Sequence, residues 1–282
     1  MMMTPSRRRF GPQHIRLIIG IIVVAIYLFP VYWMVATSLK SPADIFASPP
    51  KFIPWPLDFS SYREAVIHNS VVHRAIVSSI IISLGVMILT LVLATPAAYA
   101  LARFKLRGSG IMTLLLVLGQ LLPAVVIAGP LFVLFRRIEL TNSYQAMILA
   151  DATATLPFAV IVLRPYFLTV PGELEQAAML DGANRFRVFW EIVLPLVQPG
   201  LVTVAAFSFL MAWGEFIFAL SLNLNERIQP ITVALNKFSG QYGTRWNDMM
   251  AVSTTVAIPI IVVFVALQRF IVSGITTGAT KE

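Results

Sequence analysis

Two carboxylates, Asp151 and Glu215, stand inside long apolar runs, where an ionisable group is costly enough to be read as functional by default. Acid–base work would need a histidine or a metal set beside them. The three histidines, His14, His68 and His73, lie outside those runs without ligand spacing, and the chain has no cysteine. No catalytic residue, metal site or cofactor is therefore assigned. Gln120 and Trp213 also lie in apolar runs. Together the four could line a path for a polar solute, with carboxylate and amide hydrogen bonds and an indole face. The competing role for each is a hydrogen bond or a packing contact between helices. No Gly-x-x-x-x-Gly-Lys-Ser/Thr loop occurs, so nothing here cradles a nucleotide phosphate.

The other informative stretch is a polar interruption from Pro171 to Pro195. Pro171 suits the first turn of a helix, and Glu173 and Glu175 suit its positive end. Leu174, Ala177 and Ala178 fall on one face, and Asp181-Gly182 breaks the run. Asn184 can cap a second helix whose apolar stripe is Phe186, Phe189, Trp190 and Val193. Leu194-Pro195 ends it. An amphipathic surface helix would explain the stripe. It would not explain a small-residue face beside acids, which suits close approach by a protein groove.

The elements that must position these residues are membrane helices. The chain is 58% hydrophobic and only 12% charged, too little charge to clothe a soluble domain. A bilayer core needs about 20 apolar residues per helix. Six stretches qualify: 17–38, 75–99, 110–135, 143–168, 198–223 and 249–270. The fold class is thus all-α and membrane-embedded, with about six transmembrane helices. The expected organisation is a tail 1–16, a first span 17–38, a loop 39–74, a core 75–270 carrying the loop 171–195, and a tail 271–282. The first span is too long for a signal-peptide core and reads as a retained anchor. Prolines in or near the spans, Pro123 among them, read as kinks.

Six spans put both termini on one side. Arg7, Arg8, Arg9 and Arg16, with Arg103, Lys105 and Arg107, make that side cytoplasmic, while the nearly neutral 39–74 loop suits the outside. Arg136 and Arg137 disagree with that assignment. The net charge of +8 is spread over short connections and matches membrane lipid rather than nucleic acid.

The 171–195 stretch resembles the EAA loop of binding-protein-dependent ABC importer permeases. Gln176-Ala177-Ala178, Gly182, Ile192 and Leu194-Pro195 stand at that motif's spacings, with Gln176 in place of its usual Glu and Glu175 one residue before. Ala97-Ala-Tyr-Ala-Leu-Ala-Arg103, Leu156-Pro-Phe-Ala-Val followed by Arg164, Ala212-Trp-Gly-Glu-Phe216 and Gln268 to Gly278 are similar to the maltose-type carbohydrate branch. The resemblance covers most of the chain beyond about residue 20. It implies a type I ABC importer (MetI-like) transmembrane domain in the cell membrane and a carbohydrate or sugar derivative as solute. It also implies a second homologous permease, an extracytoplasmic solute-binding protein, and two ATPase subunits that hold the ATP and magnesium. The residues it assigns to ATPase coupling are Glu173, Glu175, Gln176, Ala177, Ala178, Asp181, Gly182, Arg185, Phe186, Leu194 and Pro195. The alternatives are a non-sugar solute, an ion-coupled secondary carrier, which would have no use for the docking loop, and a membrane enzyme, for which Asp151 and Glu215 lack companions.

Overall fold

The computed structural model describes residues 12–240 and 243–279, and its regular structure is almost entirely helical. The Arg7–Arg9 cluster and most of the expected N-terminal tail lie outside the described residues. Two compact units form, one from Met1–His68 with Phe238–Thr255, the other from Asn69–Lys237 with Val256–Glu282.

In the first unit, α1 (Pro12–Ser38) carries a span from Arg16 whose most apolar stretch has no residue buried within the chain, leaving its surface open to lipid or to another helix. The 39–74 segment is ordered: Pro42 starts a single turn, α2 (Pro42–Ile45), and a π-helical turn occupies Tyr62–Ile67. Asn247 Nδ2 donates to Ser61 Oγ at 2.9 Å.

The second unit begins with α3 (Ser70–Arg103), where Asn69 Oδ1 accepts from the amides of Val71 and Val72. Next come α4 (Ser109–Gln120), α5 (Ala124–Arg137) and α6 (Tyr144–Thr169), the last capped by Ser143. The helix α6 stops before Val170-Pro171 because a residue preceding proline is driven to extended backbone. Hydrogen bonds tie α3 to α6 at Ser78–Tyr144, Thr90–Thr155 and Arg103–Val170, a nearly constant offset of 66, 65 and 67 residues. A constant offset means the two helices run parallel. Small residues allow the contact: Ala94, Ala98 and Ala159 are fully buried in a core with Leu163 and Phe167.

After the polar loop, made of α7 (Gly172–Leu180), α8 (Arg185–Arg187), a π turn Val188–Val193 and α9 (Leu194–Leu196), the chain re-enters as α10 (Gln198–Trp213). Tyr166 meets Gly200 while Phe158, two turns earlier, stacks on Phe207 at 3.7 Å, so α10 runs antiparallel to α6. A Cβ at Gly200 would lie 2.7 Å from the Tyr166 ring. Gly200→Ala is therefore expected to cost about 1–3 kcal/mol by overpacking, read as a lowered melting temperature of the purified protein. The short helices α11 (Ile217–Leu222) and α12 (Ile231–Asn236) follow, then the two-residue strands β1 (Ser239–Gly240) and β2 (Gly243–Thr244), and α13 (Trp246–Ala279).

Two expected spans are not single helices. The 110–135 run breaks between Gln120 and Ala124, and α4 and α5 meet at 100°. Pro123 is extended, and α5 is held by apolar contacts of Ala128 and Phe135 with Phe218 and Leu222. The 198–223 run breaks at Gly214–Phe216. Among the described residues four helices are long enough to cross a membrane alone, and up to six spans result if the bent pairs Ser109–Gln120 with Ala124–Arg137 and Arg185–Leu196 with Gln198–Trp213 each count once. The stretch from 271, expected as a tail, is helical as far as Ala279.

Candidate coupling site and the polar groups of the spans

The loop between the fourth and fifth spans folds by local rules. Pro171 is extended and Gly172 opens α7, with Glu173 and Glu175 in the first turn. The helix ends in a Schellman motif: Ala183 N–H donates to Ala178 O at 3.0 Å and Gly182 N–H to Met179 O at 3.2 Å. That geometry requires left-handed backbone at Gly182, which has φ +89°. Asn184 Oδ1 then accepts from Arg187 N at 2.8 Å and starts the second helix. Leu194 N–H reaches five residues back to Phe189 O, and Pro195 has no N–H to offer, so this helix takes a π turn before bending 77° into α10.

The element is fastened from inside. Glu175 Oε1 lies 2.5 Å from Arg103 Nε in a charge contact that is not aligned as a hydrogen bond, and its Oε2 accepts from Tyr99 OH at 2.7 Å. Arg103 Nη2 donates to Val170 O at 2.6 Å, and Arg164 Nε donates to Leu101 O at 3.3 Å. The Tyr99 ring packs against Phe104, Phe167 and Phe189. Val188, Val193 and Val197 are buried in the same core. Thus α7 is bound to the end of α3 by a largely buried ion pair in an aromatic setting, where losing either partner would strand the other's charge.

Glu175, which the resemblance assigns to ATPase coupling, is 9% exposed and turned into the molecule. Ala178 and Leu194 also pack against the core rather than lying open. Glu173, Gln176, Ala177, Asp181, Gly182, Arg185, Phe186 and Pro195 are on the surface. Beside them Leu180 is 89% and Phe186 71% exposed, too much apolar area for a helix tip in water. Tyr99 and Arg103 belong to the site and were not assigned to it from sequence; their i, i+4 spacing at the end of a span was the available signal.

The four solute-path candidates occupy different settings. Gln120 ends α4 at the break, and its Nε2 donates to Ala154 O at 2.6 Å, tying the bent span to α6. Glu215 is a helix cap: its Oε1 accepts from Phe218 N at 2.8 Å and its Oε2 from Ala219 N at 3.1 Å, while its carbonyl accepts from Thr232. Glu215→Ala is expected to lose about 0.5–2 kcal/mol of stability, checked by thermal melting in detergent. Trp213 is buried and stacked on Phe209 at 5.6 Å. Asp151 is 4% exposed. Trp213 Nε1 and Asp151 Oδ1 have no hydrogen-bond partner among the described residues. Buried polar atoms of this kind call for an explanation.

Residues 90–277 match the family described as binding-protein-dependent transport system inner membrane component. The chain belongs to that family. It is 34% identical over 254 residues to the diacetylchitobiose uptake system permease protein of Streptomyces coelicolor, covering 90% of this chain and 92% of that one. It is likewise 34% identical over 272 residues to the trehalose/maltose transport system permease protein of Thermococcus litoralis, covering 95% and 97%. A crystal structure of a bacterial ABC transporter involved in import of the acidic polysaccharide alginate superposes with TM-score 0.78 at 23% identity, over 94% of this chain and 99% of that one. The expected fold, a type I ABC importer transmembrane domain, is therefore observed. Within this inner-membrane component the 171–195 loop and the broken spans both fall inside the matched region.

Proposed function

We propose that this chain is the permease subunit of an ABC importer for a carbohydrate or sugar derivative, driven by ATP hydrolysis in partner subunits. The observation that carries the reading is α7, with Leu180 bare to solvent at its tip and Glu175 anchored to Arg103 and Tyr99 in its first turn. An exposed apolar tip on a rigid mount suits a lever seated in another protein. The names of the similar permeases support a sugar as solute.

In this mechanism two ATPase subunits grip the tips of this chain and of a homologous permease. Their closure moves α7, and the Glu175–Arg103 pair passes the displacement to α3 and, through the parallel contact, to α6. Access changes only because the ATPases bind the two states with different free energy. The loop side, with both termini, faces the cytoplasm, and an extracytoplasmic binding protein delivers solute to the opposite side. Asp151 and Trp213, with unpaired polar atoms in the spans, are the foremost solute-path groups. Gln120 and Glu215 act first as ties of the broken helices.

The test is affinity purification of the tagged chain from membranes, followed by uptake of labelled disaccharides into vesicles. An ATPase subunit should co-purify, and uptake should require ATP and the binding protein. Uptake driven by an ion gradient without any ATPase would defeat the proposal.

A further inference from the structure

Just beyond the end of α1, Lys40 is only 3% exposed, and no carboxylate among the described residues lies within salt-bridge distance of it. Its Nζ sits 4.1 Å from the Trp33 ring centroid. The nearby acid, Asp44, is engaged by Lys51 at 2.5 Å. The Nζ itself keeps some contact with solvent, but no anion stands beside it, and a ring face recovers only about 2 kcal/mol. One turn back, Thr37 Oγ1 is buried and has no hydrogen-bond partner among the described residues. Both residues line a cavity of about 360 Å³, together with Trp33, Ile45, Phe46 and Trp246. An unpaired cation, a free hydroxyl and carbon walls thus converge on one space.

We propose that this cavity holds the phosphate of an anionic phospholipid, gripped by Lys40 and Thr37, with the lipid's carbon body against Trp33, Ile45 and Phe46. The phosphate supplies the acceptors that Lys40 Nζ and Thr37 Oγ1 lack. The bilayer is the source because Trp33 and Thr37 belong to the apolar span Arg16–Ser38 and Lys40 lies two residues beyond it. Tryptophan and lysine at the end of a span mark headgroup depth. At the mouth, Phe46 is 76% and Trp246 41% exposed, an apolar rim for an acyl chain. Burial lowers the pKa of Lys40 and nearby Asp44 opposes this; a bound phosphate would act in the same sense as Asp44.

The experiment is native mass spectrometry of the purified transporter complex after equilibration with vesicles of phosphatidylcholine containing phosphatidylglycerol. The wild type should retain phosphatidylglycerol in preference to phosphatidylcholine, and Lys40→Met should lower that retention about tenfold, the effect of losing one charge-assisted contact. Lys40→Arg should keep the lipid. Phe46→Asp, at an exposed position that the fold does not need, should repel it and lower retention as well. Equal retention of the two lipids, or retention untouched by both Lys40→Met and Phe46→Asp, would overturn the proposal. Lys40-dependent binding of inorganic phosphate or glycerol phosphate to lipid-depleted complex, without lipid preference, would overturn it in favour of a soluble anion.

Discussion

Replacing Glu175 by alanine is expected to abolish solute uptake while the assembled complex goes on hydrolysing ATP. Glu175 and Arg103 form a pair whose side chains are 11% and 17% exposed. Removing one member of such a pair typically costs about 3–5 kcal/mol, because the other charge is left buried and alone. At about 1.4 kcal/mol per factor of ten, that is enough to shift α7 from fastened to loose. A loose α7 can still sit in an ATPase groove, but its motion no longer reaches α3. Arg103→Ala should act in the same way and, because it also frees Val170 O, should be somewhat worse. The double variant should be far less damaging than the two effects added, as expected for partners in one interaction. Arg103→Lys should rescue only in part, since an ammonium cannot serve Glu175 and Val170 through a planar fork. The measurement is uptake per ATP hydrolysed in reconstituted vesicles. An unchanged ratio in Glu175→Ala would remove the pair from the coupling route.

The second large effect is expected at Gly182. Its φ of +89° lies where an L-residue costs about 1–2 kcal/mol, and β-branched side chains fit least well. A Cβ there would meet nothing within 4 Å, so a substitution creates no clash inside this chain. The harm comes from two other sources: loss of the Schellman bonds to Met179 and Ala178, and bulk placed beside Leu180 and Asp181 at the tip. Gly182→Val should therefore cut uptake roughly tenfold or more, with membrane insertion and expression retained. Gly182→Asn, whose side chain tolerates left-handed backbone, should remain much nearer wild type. Wild-type uptake by Gly182→Val would show that the tip carries no load.

Much of this architecture was legible in the sequence because membrane helices announce themselves by length and hydropathy. The first, second, fourth and sixth apolar runs became unbroken helices. The polar loop was readable in detail, since its Gly182 break and Asn184 cap obey rules confined to a few neighbouring residues. The bend after Gln120 was not readable. Pro123 looks like any tolerated membrane proline, and the 100° turn depends on α5 finding Phe218 and Leu222 far along the chain. Hydropathy runs straight through 214–216, so the cap that Glu215 places on α11 left no periodic trace. The inward turn of Glu175 was hidden for a related reason: it is held by Tyr99, 76 residues earlier, and no helical period reveals a partner at that distance.

Seating of the α7 tip in an ATP-hydrolysing partner on the cytoplasmic side can be tested cleanly because the chain has no cysteine of its own. A single cysteine in place of exposed Leu180 should react with a maleimide in the isolated chain and become protected when the ATPase subunits assemble. With a short bifunctional reagent it should form an adduct with those subunits. In intact cells an impermeant maleimide should leave it untouched. Labelling from outside the cell, or equal labelling with and without the ATPase subunits, would contradict the account.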